Sequence, residues 1–147
     1  ALSLALSHGA KLIIMDEPTS GLDPVARDDL LELFQELVEE GKKSILFSTH
    51  ITADLEKCAD YITYIHNGRI IDSKAKDDLL DSYRMVSGSD SELNLVRDEL
   101  ISFKTNSFGF LGLMKTDQIP QKSTLTTEAP TLDDIMIFYA KQEKRNA

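Results

Sequence analysis

Apolar and polar residues change rhythm several times along this chain, and each rhythm predicts an element. Ala1 to Ser7 is rich in Ala and Leu, as a helix requires, with Gly9 placed as its C-terminal cap and His8 as a solvent-facing end residue. Leu12, Ile13, Ile14 and Met15 then stand in an unbroken apolar row. A row rather than an alternation predicts a short strand buried on both faces, as in a parallel sheet covered by helices. Pro18 stops it. Asp23 and Pro24 start a helix, an N-cap carboxylate followed by proline at the first helical position. Leu30, Leu31, Phe34, Leu37 and Val38 recur at helical spacing until Gly41 ends the run.

Ser44 to Ser48 predicts a second buried strand, closed at its carboxyl edge by Thr49-His50. A helix follows from near Ile51, with Leu55 and Cys58 on its inner side. Tyr61 to His66 predicts a third strand, Asn67-Gly68 a tight hairpin turn, and Arg69 to Asp72 the returning strand. His66, beside that turn, reads as a surface residue. Asp77 to Tyr83 predicts a short helix with Leu79 and Leu80 inward.

The composition shifts from about Arg84, and the turn cluster Ser87-Gly88-Ser89-Asp90 marks a boundary, so the chain divides into 1–83 and 84–147. Beyond it, Ser91 or Asp90 caps a helix carrying Leu93, Val96, Leu100 and Ile101. Phe103 to Thr116 is aromatic and holds Gly109 and Gly112, which fits either a strand with a bulge or a short helix. Gln118 to Pro130 is polar loop with room for a strand around Leu125. Thr131, with Asp134 three residues on, caps a last helix whose stripe is Leu132, Ile135, Met136 and Tyr139, and whose terminal Lys and Arg residues suit the helix dipole.

At 147 residues the chain suffices for one modest domain or a lobe with an appendage. Its net charge of −9 and pI near 4.7 argue against a nucleic-acid surface, which needs clustered Lys and Arg. Cys58 is the single cysteine, so no internal disulfide forms, and its place on a helix suits packing. No apolar run approaches the roughly 18 residues a membrane helix needs.

Chemistry gathers after the first strand. Asp16 and Glu17 follow it directly, and successive strand side chains point in opposite directions, so the two acids serve different tasks. The crevice beyond the carboxyl ends of parallel strands is where open α/β sheets bind ligands. Neighbouring acids there suit a metal-bound phosphate, one holding Mg²⁺ or its water and the other accepting a proton from attacking water. A solvated turn before Pro18 is the plainer alternative for the same pair.

Leu12-Ile-Ile-Met-Asp-Glu-Pro-Thr19 resembles the Walker B motif of ATP-binding cassette (ABC) ATPases, Ser20-Gly-Leu-Asp23-Pro resembles their D-loop, and Ser48-Thr49-His50 their switch-histidine loop. The resemblance covers Ala1 to about Ser82. It implies a partial RecA-like P-loop NTPase core, the Walker B half, with residues 84–147 as a small α/β extension of the kind found on some exporter-type subunits. It also implies site roles. Asp16 would hold Mg²⁺ through water at the phosphates of ATP, Glu17 would orient or deprotonate the attacking water, and His50 would sense the γ-phosphate. Ser20 to Asp23 would cross to a second nucleotide-binding subunit, the other half of a dimer. The implied partners are transmembrane permease subunits, with no nucleic acid, and the implied location is the cytoplasmic face of the cell membrane.

No G-x-x-x-x-G-K-S/T loop and no Leu-Ser-Gly-Gly-Gln signature occur in the sequence. The chain therefore reads as the C-terminal portion of a nucleotide-binding subunit, inactive by itself, whose parent hydrolyses ATP to drive transport. Two alternatives share its motifs: a lobe of a DNA-repair or chromosome-maintenance ATPase, or a regulatory or dimerisation module. In the implied core the phosphate-loop strand lies between the strand ending near His50 and that at Tyr61 to His66. Without it, those two edges are expected to pair directly or to self-associate with a second molecule.

Overall fold

A computed structural model describes residues 9–41, 43–121 and 124–146 as a mixed α/β chain in two compact units, Ala1–Ala59 and Asp60–Ala147. The expected helix at Ala1 to Ser7, with His8, lies outside the described residues. So do the side chains of the final basic residues.

The first unit is a strand–helix–strand–helix run: β1 (Leu12–Asp16), α1 (Pro24–Glu39), β2 (Ser44–Ser48) and α2 (Thr52–Cys58). β1 and β2 pair in parallel from Leu12↔Ser44 to Asp16↔Ser48, so their carboxyl ends are level. α1 starts where a carboxylate can cap it: Asp23 Oδ1 accepts from the amides of Val25 (3.0 Å) and Ala26 (3.1 Å), with Pro24 next. It ends as Gly41 N donates to Val38 O, 2.8 Å. Leu31 and Phe34 are its buried face, and the Phe34 ring meets Phe47 of β2 at 5.7 Å between centroids. Each such side chain contributes on the order of 2 kcal/mol when fully buried. Leu30 and Leu37 are half-buried, and Val38 is exposed.

The expectation of strands buried on both faces is corrected here. Ile13 is buried, but Ile14 is 69% and Leu46 59% exposed, and Leu12 is exposed as well. Strand side chains alternate, so one helix layer covers one face only, and the other face carries the remaining apolar residues without a layer among the described residues. On α2 the expected inner residues Leu55 and Cys58 are half-buried, and the buried ones are Thr52 and Asp54.

The second unit opens with a hairpin, β3 (Tyr61–His66) and β4 (Arg69–Ala75), turning through Asn67 (φ +47°) and Gly68 (φ +71°). Two successive positive φ values twist the turn with the strands, which is why Asn-Gly is favoured there. β4 runs to Ala75 rather than Asp72, with a register shift between Tyr64 and Ile65. α3 (Lys76–Asp81) buries Leu79 and leaves Leu80 half-buried. Within the first unit β1 pairs with β2, and within the second β3 pairs with β4.

β5 (Tyr83–Gly88), β6 (Leu100–Asn106), β7 (Gly109–Lys115) and β8 (Thr126–Glu128) make an antiparallel sheet ordered β6-β7-β5-β8. The composition shift near Arg84 falls inside β5, because that strand is paired on both sides, and Ser87 and Gly88 continue its ladder instead of turning. α4 (Asp90–Val96) is capped by Ser89, not Ser91 or Asp90, in a reciprocal box with Glu92. The Thr124 hydroxyl and the Ser89 amide hold the Glu92 carboxyl below its ordinary range. Leu100 and Ile101, expected on this helix, belong to β6. Helix α4 ends at Val96, and Leu100 pairs with Met114.

Phe103 to Thr116 resolves as a β6–β7 hairpin with a bulge near Leu100. Gly109 (φ +129°) is required, since a Cβ there would lie 2.0 Å from Gly88 O. Val86, Leu93, Val96, Leu100, Phe110 and Met114 form one core under α4. Met85, Ser102 and Leu113 turn to the opposite face by alternation, where Ser102 Oγ donates to Phe138 O (2.6 Å) of α5 (Leu132–Asn146). Thr131 and Asp134 cap α5, which buries Leu132, Ile135, Phe138 and Tyr139 and half-buries Met136.

Candidate functional site

Level strand ends bring the acids and the histidine to one place. Asp16, the last residue of β1, faces Ser48 across the ladder and its Oδ1 accepts from the Ser48 hydroxyl. The chain then leaves the sheet sharply at Glu17, whose φ of +46° is left-handed. For a non-glycine residue this costs on the order of 1–3 kcal/mol, which surrounding bonds must offset. One such bond runs from Glu17 N to Ser48 O, 2.9 Å. The turn aims Glu17 away from Asp16 and toward the loop after β2.

There Glu17 Oε1 lies 2.8 Å from His50 Nδ1. The His50 side chain is 73% and the Glu17 side chain 33% exposed, so the pair is worth at most about 1 kcal/mol in stability and its value is geometric. The other carboxylate oxygen, Glu17 Oε2, is buried and has no hydrogen-bond partner among the described residues. An acceptor in that condition calls for a donor, such as a water or a ligand group.

Downstream of Glu17 the chain makes two successive turns, Ser20 N to Glu17 O (3.1 Å) and Leu22 N to Thr19 O (3.2 Å). Ser20 is exposed on this loop, and Asp23 at its end is engaged as the α1 cap. The structure thus joins Asp16, Glu17 and His50 at one sheet end, and sets Ser20 and Asp23 on the loop leading away from it.

Sequence reasoning missed a polar trio behind the site, centred on a buried acid. Asp54 is 0% exposed. Its Oδ2 accepts from Thr19 Oγ1 at 2.5 Å and its Oδ1 from Arg27 Nε at 2.5 Å. Nothing local marks these residues, since an acid on a short helix and an Arg four residues past a cap read as surface. His66 of the second unit is half-buried rather than at the surface. Among the described residues no set of three or more His, Cys, Asp or Glu is arranged to hold a metal ion, and no helix is long and apolar enough to cross a membrane.

The chain is similar in sequence to several known proteins. Residues 1–53 match the family model described as AAA domain, putative AbiEii toxin, Type IV TA system. A putative ABC transporter ATP-binding protein of Mycoplasma pneumoniae is 38% identical over 104 residues, covering 68% of this chain and 32% of that protein. The lantibiotic transport ATP-binding protein SrtF of Streptococcus pyogenes is 40% identical over 76 residues, 52% of this chain and 33% of the relative. The carnitine transport ATP-binding protein OpuCA of Listeria monocytogenes is 35% identical over 115 residues, 78% of this chain and 28% of the relative. The chain thus spans about a third of the length of the curated relatives it matches.

Proposed function

This chain is a relative of ABC transporter ATP-binding proteins, and from that premise we propose that it forms the hydrolytic end of such a subunit, within a partial RecA-like core. The observation that carries the reading is the 2.8 Å contact of Glu17 with His50 at the carboxyl rim of two parallel strands, beside Asp16. In this reading Glu17 Oε2 accepts a hydrogen from the water that attacks the terminal phosphate of ATP, while His50 fixes the other carboxylate oxygen and meets the γ-phosphate. Phosphoryl transfer asks for this kind of positioning and charge placement more than for covalent chemistry.

The donor set suits Mg²⁺ in kind. Asp16 is a strand-end carboxylate already oriented by the Ser48 hydroxyl, and magnesium is commonly bound through one or two carboxylates, waters and phosphate oxygens. Asp16 would hold it through water, and it would neutralise phosphate charge. Exposed Ser20 and the loop to Asp23 would meet a second nucleotide-binding subunit, and permease subunits would couple the pair to transport at the cytoplasmic face of a membrane.

The phosphate-binding loop, which no stretch of this sequence matches, would be supplied by the remaining length of the whole protein. Accordingly the 147-residue chain by itself is expected neither to bind MgATP at micromolar concentration nor to hydrolyse it, and calorimetric titration checks this. In the whole protein, Glu17→Gln is expected to leave nucleotide binding intact and abolish turnover. Full turnover of that variant would remove Glu17 from the role of base.

A further inference from the structure

We propose that Asp54 is a positioning residue for hydrolysis: it ties the turn carrying Glu17 to the loop carrying His50, and so sets the geometry of that pair. This rests on the reading of Glu17 and His50 as the hydrolytic pair.

The two reacting side chains stand on separate loops, and each loop must be held. On the sheet side they are joined by Glu17 N to Ser48 O at 2.9 Å. Away from the sheet, a second route between them runs through Asp54: Thr19, two residues past Glu17, donates its hydroxyl to Asp54 Oδ2 at 2.5 Å. Asp54 stands four residues past His50, and its own amide donates to Ile51 O at 3.1 Å, while Ile51 N donates to Thr49 Oγ1 at 3.0 Å. The segments 17–19 and 48–54 are thereby closed into a ring, pinned at both ends, with the Glu17–His50 contact inside it.

Three observations indicate that this pin has a task beyond packing. Asp54 and Thr19 are almost fully inaccessible, 0% and 1% exposed, in a unit whose apolar core is small, so a charge has been placed where burial is costly. Arg27 compensates that charge from α1 and fixes the carboxylate in one orientation, leaving Oδ2 for Thr19. The residue the ring restrains, Glu17, is held at a left-handed φ that would relax if the turn were freed. A side-chain contact as exposed as Glu17–His50 has no means of its own to hold that conformation.

The test uses the full 147-residue chain first, because the contact is measurable without nucleotide. The proximity of the His50 ring to the Glu17 side chain is read by NMR cross-relaxation in Thr19→Val and Asp54→Asn, with Thr19→Ser as the variant that keeps the hydroxyl and Leu31→Ala as a core variant that only lowers stability. The contact is expected to be lost in the first two and retained in the last two; its persistence in both Thr19→Val and Asp54→Asn would overturn the proposal. If both fail to fold, mild denaturant applied to the unsubstituted chain decides. The Glu17–His50 contact must then disappear in the same step as the Thr19–Asp54 bond, and survival past that step is contrary.

In the whole protein, Thr19→Val is expected to lower kcat by on the order of 10-fold to 100-fold at unchanged KM for ATP, with Thr19→Ser restoring it. A Glu17→Gln variant with full turnover would sink the hydrolytic reading while leaving the contact result standing. Full turnover of Thr19→Val beside an inactive Glu17→Gln would sink the role of Asp54 alone.

Discussion

The two units solve the problem of staying folded in different ways. The second wraps a four-stranded antiparallel sheet with a helix on each face, and Val86, Leu113 and Met114 have no exposure at all. The first has two strands, one covered face and Ile13, Leu31 and Phe34 as its buried apolar residues among those described. Its best-buried polar group is a carboxylate, held by a hydroxyl and a guanidinium. The difference teaches that a unit carrying a strained, polar-lined rim is held by directional bonds, whereas a unit without such a site is held by area.

That contrast breaks most readily at the charge. Arg27→Met leaves Asp54 buried and uncompensated, and is expected to cost about 3–5 kcal/mol in the first unit. Asp54→Asn should cost less, because Arg27 is 30% exposed and water can serve it. Hydrogen exchange resolved by unit checks both the size and the confinement of the loss. Equal costs for the two variants would mean that the carboxylate is not the group at risk.

Leu113→Ala tests the other side. A cavity at a fully buried position of the sheet should cost about 2–5 kcal/mol, read from the denaturant midpoint of the second unit while the first keeps its exchange pattern. Ser89→Ala removes the cap of α4 and should cost about 0.5–2 kcal/mol, with amides of Asp90 to Leu93 losing protection first.

A pH ramp sharpens the comparison further. Burial, then the hydrogen bond to Tyr139 (3.0 Å), pushes the Tyr83 phenol well above its ordinary pKa of about 10. The raised value means the fold favours the protonated form. Its contribution is therefore fully present below about pH 10 and is lost as pH rises beyond that, so the second unit should weaken in alkali. Tyr83→Phe should flatten that slope, as denaturant midpoints at pH 8 and pH 11 would reveal; an unchanged slope would assign the alkaline loss elsewhere.

The smallest effect is expected on the uncovered face of the first sheet. Leu46→Thr, at 59% exposure, should change stability by no more than about 0.5 kcal/mol. A loss of several kcal/mol would show that a layer covers that face in solution, and sizing of the same variant would tell whether a second molecule supplies it.

Much of the chain was legible in its residues because the signals concerned are short-range. Asp23-Pro24 opened a helix and Gly41 closed it, Asn67-Gly68 made its turn, and Thr131 with Asp134 capped the last helix, each through bonds spanning a few residues. The order Asp16, Glu17, Ser20, Asp23, His50 was likewise readable as a motif, and the chain as a whole is similar in sequence to ABC transporter ATP-binding proteins. Tertiary structure alone decided the rest. Whether Ile14 and Leu46 are covered depends on a layer that no neighbouring residue encodes, and Leu100 left its helix because Met114 offered a ladder partner. Asp54 went from apparent surface acid to buried pin because Thr19 and Arg27, 35 and 27 residues away, arrived to satisfy it. A charge is buried only when partners satisfy it, and partners at that separation are brought together by the fold rather than by the local pattern.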